Sequence, residues 1–442
     1  MEISLLNMSL DANKGDLAIV EATLDLIRQA FPEAKVSLFN HDYSPEEVAD
    51  DNAFLFVKRL GFSRLFGSPF PRVHSGRSPL KENAIAAGRL LRSLYALALI
   101  FSGRERGIAL LPPSFRPLVE NINRSSLVIL KGGSYFYCHG GPKQLLFLYR
   151  MFLTSLFALA LGKKIVAIGH SVGPIRGRLA RKLAAASLSR FHRVAAREEI
   201  TRDFLLQKLH LAPERVTLLP DPAFHDVPPP EGLPPSIGAR GDPSLEELLE
   251  IPSPRIGITV RHWRFPGRSD PRRGYEEYLR AVAGFAERAT AELQAACVFM
   301  PHAQEDIPVA EEVIRRAPRG RTLLLRGDYH PHELRRLYGL MDIFVATRIH
   351  SGIFALTAGT PVLAIAYEVP KGYGIIGMIE GPEYVLDINS VTAEKLMEGV
   401  RRILADREGL AKRVGEKVAE AVRELETKVP SLLRDAIANQ NK

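Results

Sequence analysis

Short apolar runs alternate with stretches of helical spacing along most of this chain. Residues 3–6, 36–39, 127–130, 165–168, 194–196 and 216–219 are apolar and of strand length. Residues 16–30 repeat apolar positions at Leu17, Val20, Leu24 and Ile27, the spacing of one helix face, and stop before Pro32. The pattern predicts further helices over 143–161, about 177–190 and 199–209. Beyond residue 255 the alternation resumes, with strands at 256–260, 298–300, 323–325, 343–346 and 362–366. Helices are predicted there at 275–292, 305–316, 331–340, 351–358 and near 373–380. A charged, amphipathic helical region runs from about 392 to the end. Strands alternating with helices imply an α/β fold with parallel sheets.

One stretch breaks the rhythm. Eight of the thirty residues in 225–254 are proline, which marks a linker. The expected organisation is an N-terminal α/β domain over 1–224, the linker 225–254, a C-terminal α/β domain over 255–405 and a helical segment over 406–442. Two similar domains about a hinge predict a cleft, where small molecules bind.

Composition changes the picture little. At 442 residues, 46% apolar and 25% charged, the chain can bury large cores and is not disordered. Two cysteines, Cys138 and Cys297, provide neither a disulfide framework nor a cysteine zinc site. The Met1-Glu2-Ile3-Ser4 start lacks the basic-then-apolar pattern of a secretory leader, so the cytoplasm is the expected location.

Charge is more informative. The net charge is +9, but residues 58–106 alone carry ten Lys/Arg against Glu82 and Glu105, and residues 174–193 carry six with no acid. The excess therefore sits in the N-terminal half. In the first stretch Phe62, Phe66, Phe70 and the apolar run 94–101 interleave with the cations. That combination suits an anionic membrane surface, against the alternative of a solvated insertion. No nucleic-acid motif accompanies it. The apolar run 145–161 is shorter than the ~20 residues that span a bilayer. Arg150 also interrupts it, so it reads as a core helix.

Candidate chemistry lies at predicted strand ends, the ligand edge of a parallel sheet. In order these are Asn13-Lys14-Gly15-Asp16, Lys131-Gly132-Gly133-Ser134, Gly169-His170-Ser171-Val172-Gly173-Pro174, Arg197-Glu198-Glu199, Asp221-Pro222-Ala223-Phe224, Arg261-His262, Pro301-His302 and Thr347-Arg348-Ile349-His350-Ser351-Gly352. None matches a Walker loop or a dinucleotide fingerprint. In the last run an arginine and a histidine meet at a helix start, whose partial positive charge favours a phosphate or carboxylate. A histidine there can also move a proton near neutral pH. No metal-ligand spacing is visible.

Together these loops resemble the polysaccharide pyruvyl transferase family. The resemblance rests on Asn13 to Ile19, Gly132-Gly133, Gly169 to Pro174, Arg197-Glu198-Glu199, Asp221-Pro222-Ala223, Arg348 to Leu356, Gly359-Thr360-Pro361-Val362, Tyr367 and Lys371-Gly372. It spans residues 1 to about 385, leaves 58–117 as an insertion, and departs at His170, where a glutamine is frequent. It implies a GT-B-like fold: two Rossmann-like domains facing a central cleft, with a C-terminal helix. It also implies transfer of a pyruvyl group from phosphoenolpyruvate to sugar hydroxyls of a polysaccharide or lipid-linked glycan precursor, usually as a cyclic ketal.

On this resemblance His350 is the expected general acid, assisted by Arg348, with Asp16 or Asp221 accepting a proton from the sugar. Asn13, Gly15, Gly132, Gly133, His170, Arg197, Asp221, Arg261, His302, Ser351 and Lys371 are the expected substrate contacts. Phosphoenolpyruvate is a donor substrate, and no cofactor is expected. The expected setting is the cytoplasm, with peripheral attachment to the inner membrane face and no nucleic-acid partner. The alternatives are a GT-B glycosyltransferase using a nucleotide sugar, and a non-catalytic glycan- or membrane-associated protein.

Overall fold

The computed structural model describes residues 1–8, 13–40, 62–66, 79–111, 113, 115–228, 242–367 and 372–438. The chain forms two compact units. The first comprises Met1–Asp11, Ile19–Pro222 and Glu424–Lys442, and the second Ala12–Ala18 and Ala223–Arg423.

The first unit is built on a parallel sheet. Its strands are β1 (Glu2–Met8), β2 (Lys35–Asn40), β3 (Arg64–Phe66), β4 (Leu127–Leu130), β5 (Gly133–Cys138), β6 (Ile165–Ile175), β7 (Arg193–Ala196) and β8 (Val216–Leu218). The order is β3-β2-β1-β4-β6-β7-β8, with β5 pairing β6. Helices α1 (Lys14–Ala30), α2 (Pro79–Ala109), α3 (Arg116–Arg124), α4 (Pro142–Ala160) and α5 (Arg178–Leu188) connect them. Strand β4, Leu-Val-Ile-Leu, is buried at every position, as expected for a parallel strand covered on both faces. The core extends into α4, where Phe152 stacks on Phe136 of β5 with ring centroids 4.3 Å apart. Burying each such side chain stabilises the unit by about 1.5–3 kcal/mol. Among the described residues α4 is the one helix long and apolar enough to cross a membrane, and half of its apolar window is buried in this unit.

The second unit repeats the plan. Strands β9 (Arg255–Thr259), β10 (Ala296–Phe299), β11 (Thr322–Leu324), β12 (Ile343–Ala346), β13 (Val362–Ala366) and β14 (Val385–Asp387) order as β11-β10-β9-β12-β13-β14, all parallel. The helices are α6 (Pro243–Glu250), α7 (Pro271–Leu293), α8 (Ile307–Arg316), α9 (Pro331–Tyr338), α10 (Ile349–Thr357), α11 (Ala393–Ala405) and α12 (Arg407–Ala438). Each sheet grows outward in both directions from one strand pair, β1/β4 in the first and β9/β12 in the second. Ligands of such sheets bind beyond the carboxyl ends at that reversal.

Several local expectations differ from the structure. The Gly169–Pro174 loop is part of β6, and the Gly-Gly turn at 132–133 leads straight into β5. The Pro-rich stretch contains α6, because Asp242 accepts from Ser244 N at 3.0 Å and Pro243 occupies the first helical position, where a missing N–H costs nothing. The insertion holds β3 and the 31-residue α2. The boundary expected at residue 224 falls at Pro222/Ala223; residues 12–18 group with the second unit and the end of α12, from Glu424, with the first.

Candidate functional site

In the second unit the site begins with how α10 is held. Thr259, the last residue of β9, places its hydroxyl 3.2 Å from Thr347 N and 2.8 Å from Ser351 Oγ, and the Ser351 hydroxyl donates to Arg348 O at 2.6 Å. Tyr278 on α7 adds a 3.0 Å hydroxyl contact to Thr347. A buried hydroxyl network thus fixes the helix start, and Ser351, an expected substrate contact, belongs to that network.

Arg348 precedes this helix. Its guanidinium grips Asp306 through Nη2 at 2.6 Å and Nε at 3.0 Å, and Glu305 binds Nη2 as well. Burial works against the Arg348 charge, but the Asp306 and Glu305 carboxylates outweigh it and keep the guanidinium protonated. Arg348 is therefore an anchored ion pair.

His350 faces the first turn of α1. A Cβ built on Gly15 would lie 2.1 Å from His350 Nδ1 and 2.2 Å from Cγ, so only glycine lets the turn come this close. Asn13 organises the turn: its Oδ1 accepts from Gly15 N at 3.1 Å and its Nδ2 donates to Asp16 Oδ2 at 2.9 Å. Lys14 ties it down with a 2.6 Å ion pair to Asp328.

Behind His350 lies His302, its ring 6.4 Å away and inclined by 14°. His302 is buried; Nδ1 meets the Tyr338 hydroxyl at 3.3 Å, and Nε2 has no hydrogen-bond partner among the described residues. Burial, with the nearby charges of His350, Arg348, Lys14 and Arg335, pushes its pKa well below the usual histidine value, so it is neutral at pH 7.

Arg261 differs from Arg348. It follows β9, is half-buried, and lies 4.4 Å from the Tyr367 ring centroid and 5.4 Å from that of Trp263. Among the described residues it forms no ion pair. Glu305 and Asp306 feel its charge without pairing to it, so the guanidinium, held on aromatic faces, can accept an anion. Lys371 lies outside the described residues.

The first unit holds a second polar cluster. Arg197 donates to Asp221 at 2.6 Å, to Ser171 at 2.8 Å and to Ser134 at 2.8 Å, all with little solvent contact. Glu198 is fully buried with Thr201 donating to it; burial, only partly offset by Arg197, pushes its carboxyl up to about 7. His170 packs on Phe136 and edge-on to Tyr135, and burial together with Arg197 pushes it down to about 3. Gly132 and Gly169 close the cluster: a Cβ at Gly132 would lie 2.7 Å from Ile168 O, and one at Gly169, where φ is +66°, 2.3 Å from Pro222 Cδ. Gly133 starts β5 beside His170.

The expected residues thus fall into two groups. Asn13, Gly15, Asp16, Arg261, His302, Arg348, His350 and Ser351 lie in the second unit; Gly132, Gly133, His170, Arg197 and Asp221 lie in the first. Sequence reasoning passed over Asp306 and Glu305, although they follow His302 at the same sheet edge. It also passed over Asp328, for which no local signal exists. Among the described residues no group of three or more His, Cys, Asp or Glu side chains could hold a metal ion.

Known proteins agree with this frame. The chain is similar to the amylovoran biosynthesis protein AmsJ of Erwinia amylovora, at 24% identity over 95% of this chain and 96% of that one. Its fold resembles a glycosyltransferase from Rickettsia africae (TM-score 0.54, 13% identity, 98% of this chain and 96% of that one). It also resembles a UDP-GlcNAc 2-epimerase from Neisseria meningitidis bound to UDP-GlcNAc (TM-score 0.57, 12% identity, 98% and 100%). These likenesses show the fold: two Rossmann-like α/β units with a helical C-terminus, of the GT-B type. The family model for polysaccharide pyruvyl transferase matches residues 13–369, a span that runs from Asn13 through both polar clusters to Tyr367. The chain therefore belongs to the polysaccharide pyruvyl transferase family and is a glycan-modifying transferase.

Proposed function

We propose that the protein transfers the pyruvyl group of phosphoenolpyruvate to two hydroxyls of a polysaccharide or lipid-linked glycan precursor, closing a ketal and releasing phosphate. The observation that carries this reading is His350 at the start of α10, covered by Gly15 and backed by neutral His302. The donor carries a carboxylate and a phosphate, and Arg261 offers at the same sheet edge a guanidinium with no ion pair among the described residues.

The chemistry assigns each group a task. His350 as imidazolium gives its proton to C3 of the enol, leaving a cation at C2. A sugar hydroxyl adds to C2 and loses its proton, phosphate leaves with its C2–O bond, and the second hydroxyl closes the ketal. Of the two hydroxyl protons, one restores His350 and the other ends on phosphate, so the balance needs no cofactor. Asp16, half-buried in the turn on His350, is the base in this scheme. His302 positions His350 by stacking.

The reaction run in D2O tests this reading, because the pyruvyl methyl should acquire one deuterium. Thermal stabilisation by UDP-sugars and not by phosphoenolpyruvate would instead favour a nucleotide-sugar glycosyltransferase.

A further inference from the structure

The first unit carries an apolar groove that none of the motifs above lines. It has a volume of about 720 Å³ and lies among α2, α4 and α5, with Leu90, Leu94, Leu145, Leu146, Tyr149 and Leu179 on its walls. A 2.8 Å hydroxyl contact between Ser93 and Tyr149 joins α2 to α4 beside it. The apolar surface does not stop at the groove. Leu91 and Tyr95, four residues apart on α2, and Phe101, seven residues after Leu94, are exposed by 67%, 56% and 64%, far above what a core-facing stripe shows.

Charge identifies the occupant. Arg92 on α2, Lys143 on α4 and Arg178, Arg181 and Lys182 on α5 are exposed on the three helices. Among the described side chains of these helices there is no carboxylate. A soluble protein partner would be expected to meet mixed charge and a polar rim. An apolar trough with Lys143 on its wall, and with only cations among the described charged side chains of its three helices, matches an anionic lipid leaflet: chains against the leucines, headgroup phosphates on the arginines and lysines. Pro142, Lys143, Leu145, Leu146 and Tyr149, all in the incompletely buried N-terminal part of α4, line this trough.

We propose that the α2/α4/α5 face docks on an anionic lipid bilayer, with the groove taking up an acyl or prenyl chain. This surface brings Arg92 of the basic stretch 58–106 together with Arg178, Arg181 and Lys182 of 174–193; most cations of the first stretch lie outside the described side chains. It stands independently of the donor chemistry.

Vesicle flotation of the full-length protein tests it. Wild type should float with vesicles of phosphatidylcholine mixed with phosphatidylglycerol and remain behind with phosphatidylcholine alone. The triple variant Arg178→Gln/Arg181→Gln/Lys182→Gln should lose about 10²-fold in vesicle affinity, on the scale of about one tenfold step or slightly less per surface cation. Leu94→Asp/Leu179→Asp should lose binding as well, while Leu249→Asp, an exposed leucine of the second unit, should not. Circular dichroism and Tm show whether each variant is folded; the charge variant, wholly on the surface, keeps the test open if the leucine variant is not. Three results would overturn the proposal: no wild-type flotation, folded groove variants that float like wild type, or a dimer in light scattering that the groove variants convert to monomer without affecting flotation.

Discussion

Gly15 and His350 are separated by more than three hundred residues, yet the missing side chain of one makes room for the ring of the other: a Cβ at Gly15 would lie 2.1 Å from His350 Nδ1. Lys14, one residue before, anchors the same turn to Asp328 at 2.6 Å. The α1 turn and α10 are thus fitted to each other, which explains why a glycine and a histidine from opposite ends of the sequence belong to one site.

Gly15→Ala should therefore cost function more than stability. The alanine methyl must displace the His350 ring or lift the turn, at about 1–3 kcal/mol of overpacking. Turnover should fall at least ~10-fold, since a small misplacement of a catalytic group is expensive. Thermal unfolding beside phosphate release checks this; unchanged turnover would mean that the close approach has no catalytic role.

The two arginines at this edge should behave in opposite ways. Arg348→Gln leaves Asp306 buried without its partner and should destabilise the protein by ~3–5 kcal/mol. Arg348→Met/Asp306→Leu should recover most of that loss. Arg261→Gln breaks no ion pair among the described residues, so Tm should hold while the apparent KM for phosphoenolpyruvate rises ~10-fold or more. Urea unfolding and donor titrations separate the two roles.

The buried cluster of the first unit should give a pH signature in stability. Glu198 has its carboxyl raised to about 7, so the folded state holds the proton more tightly than the unfolded one. Its contribution is present at pH 4.5 and below and is lost as pH rises through 7. His170 is lowered to about 3, so its contribution is present above the unfolded value of 6.5 and is lost as pH falls toward 3. Between pH 5 and 7 the two oppose each other. Glu198→Gln should leave the acid-side loss unbalanced, and His170→Gln should leave the decline toward neutral pH unbalanced. Urea midpoints at pH 5 and 7 read both, and parallel pH profiles for the two variants would contradict these assignments.

The two-sheet architecture was legible because buried parallel strands appear as continuous apolar runs, as in Leu127–Leu130. What escaped were elements whose local sequence points elsewhere. The Pro243 that suggested a linker opens a helix under the Asp242 cap. The Gly132-Gly133 pair that suggested a turn starts a strand, because it runs beside a β6 longer than its apolar core implies. At the site, the residue types were readable but their pairings were not: Arg348 meets Asp306 across 42 positions and Lys14 meets Asp328 across more than three hundred, contacts that only the tertiary fold brings together.

The proposed role of His350 as proton donor to phosphoenolpyruvate is open to one direct assay. Phosphate release from phosphoenolpyruvate is followed with a panel of free and lipid-linked glycans, for wild type and His350→Ala. Acceptor-dependent release should fall at least ~10²-fold in a variant with unchanged circular dichroism and Tm. Near-normal release by folded His350→Ala, or no acceptor-dependent release by wild type across the panel, would contradict it.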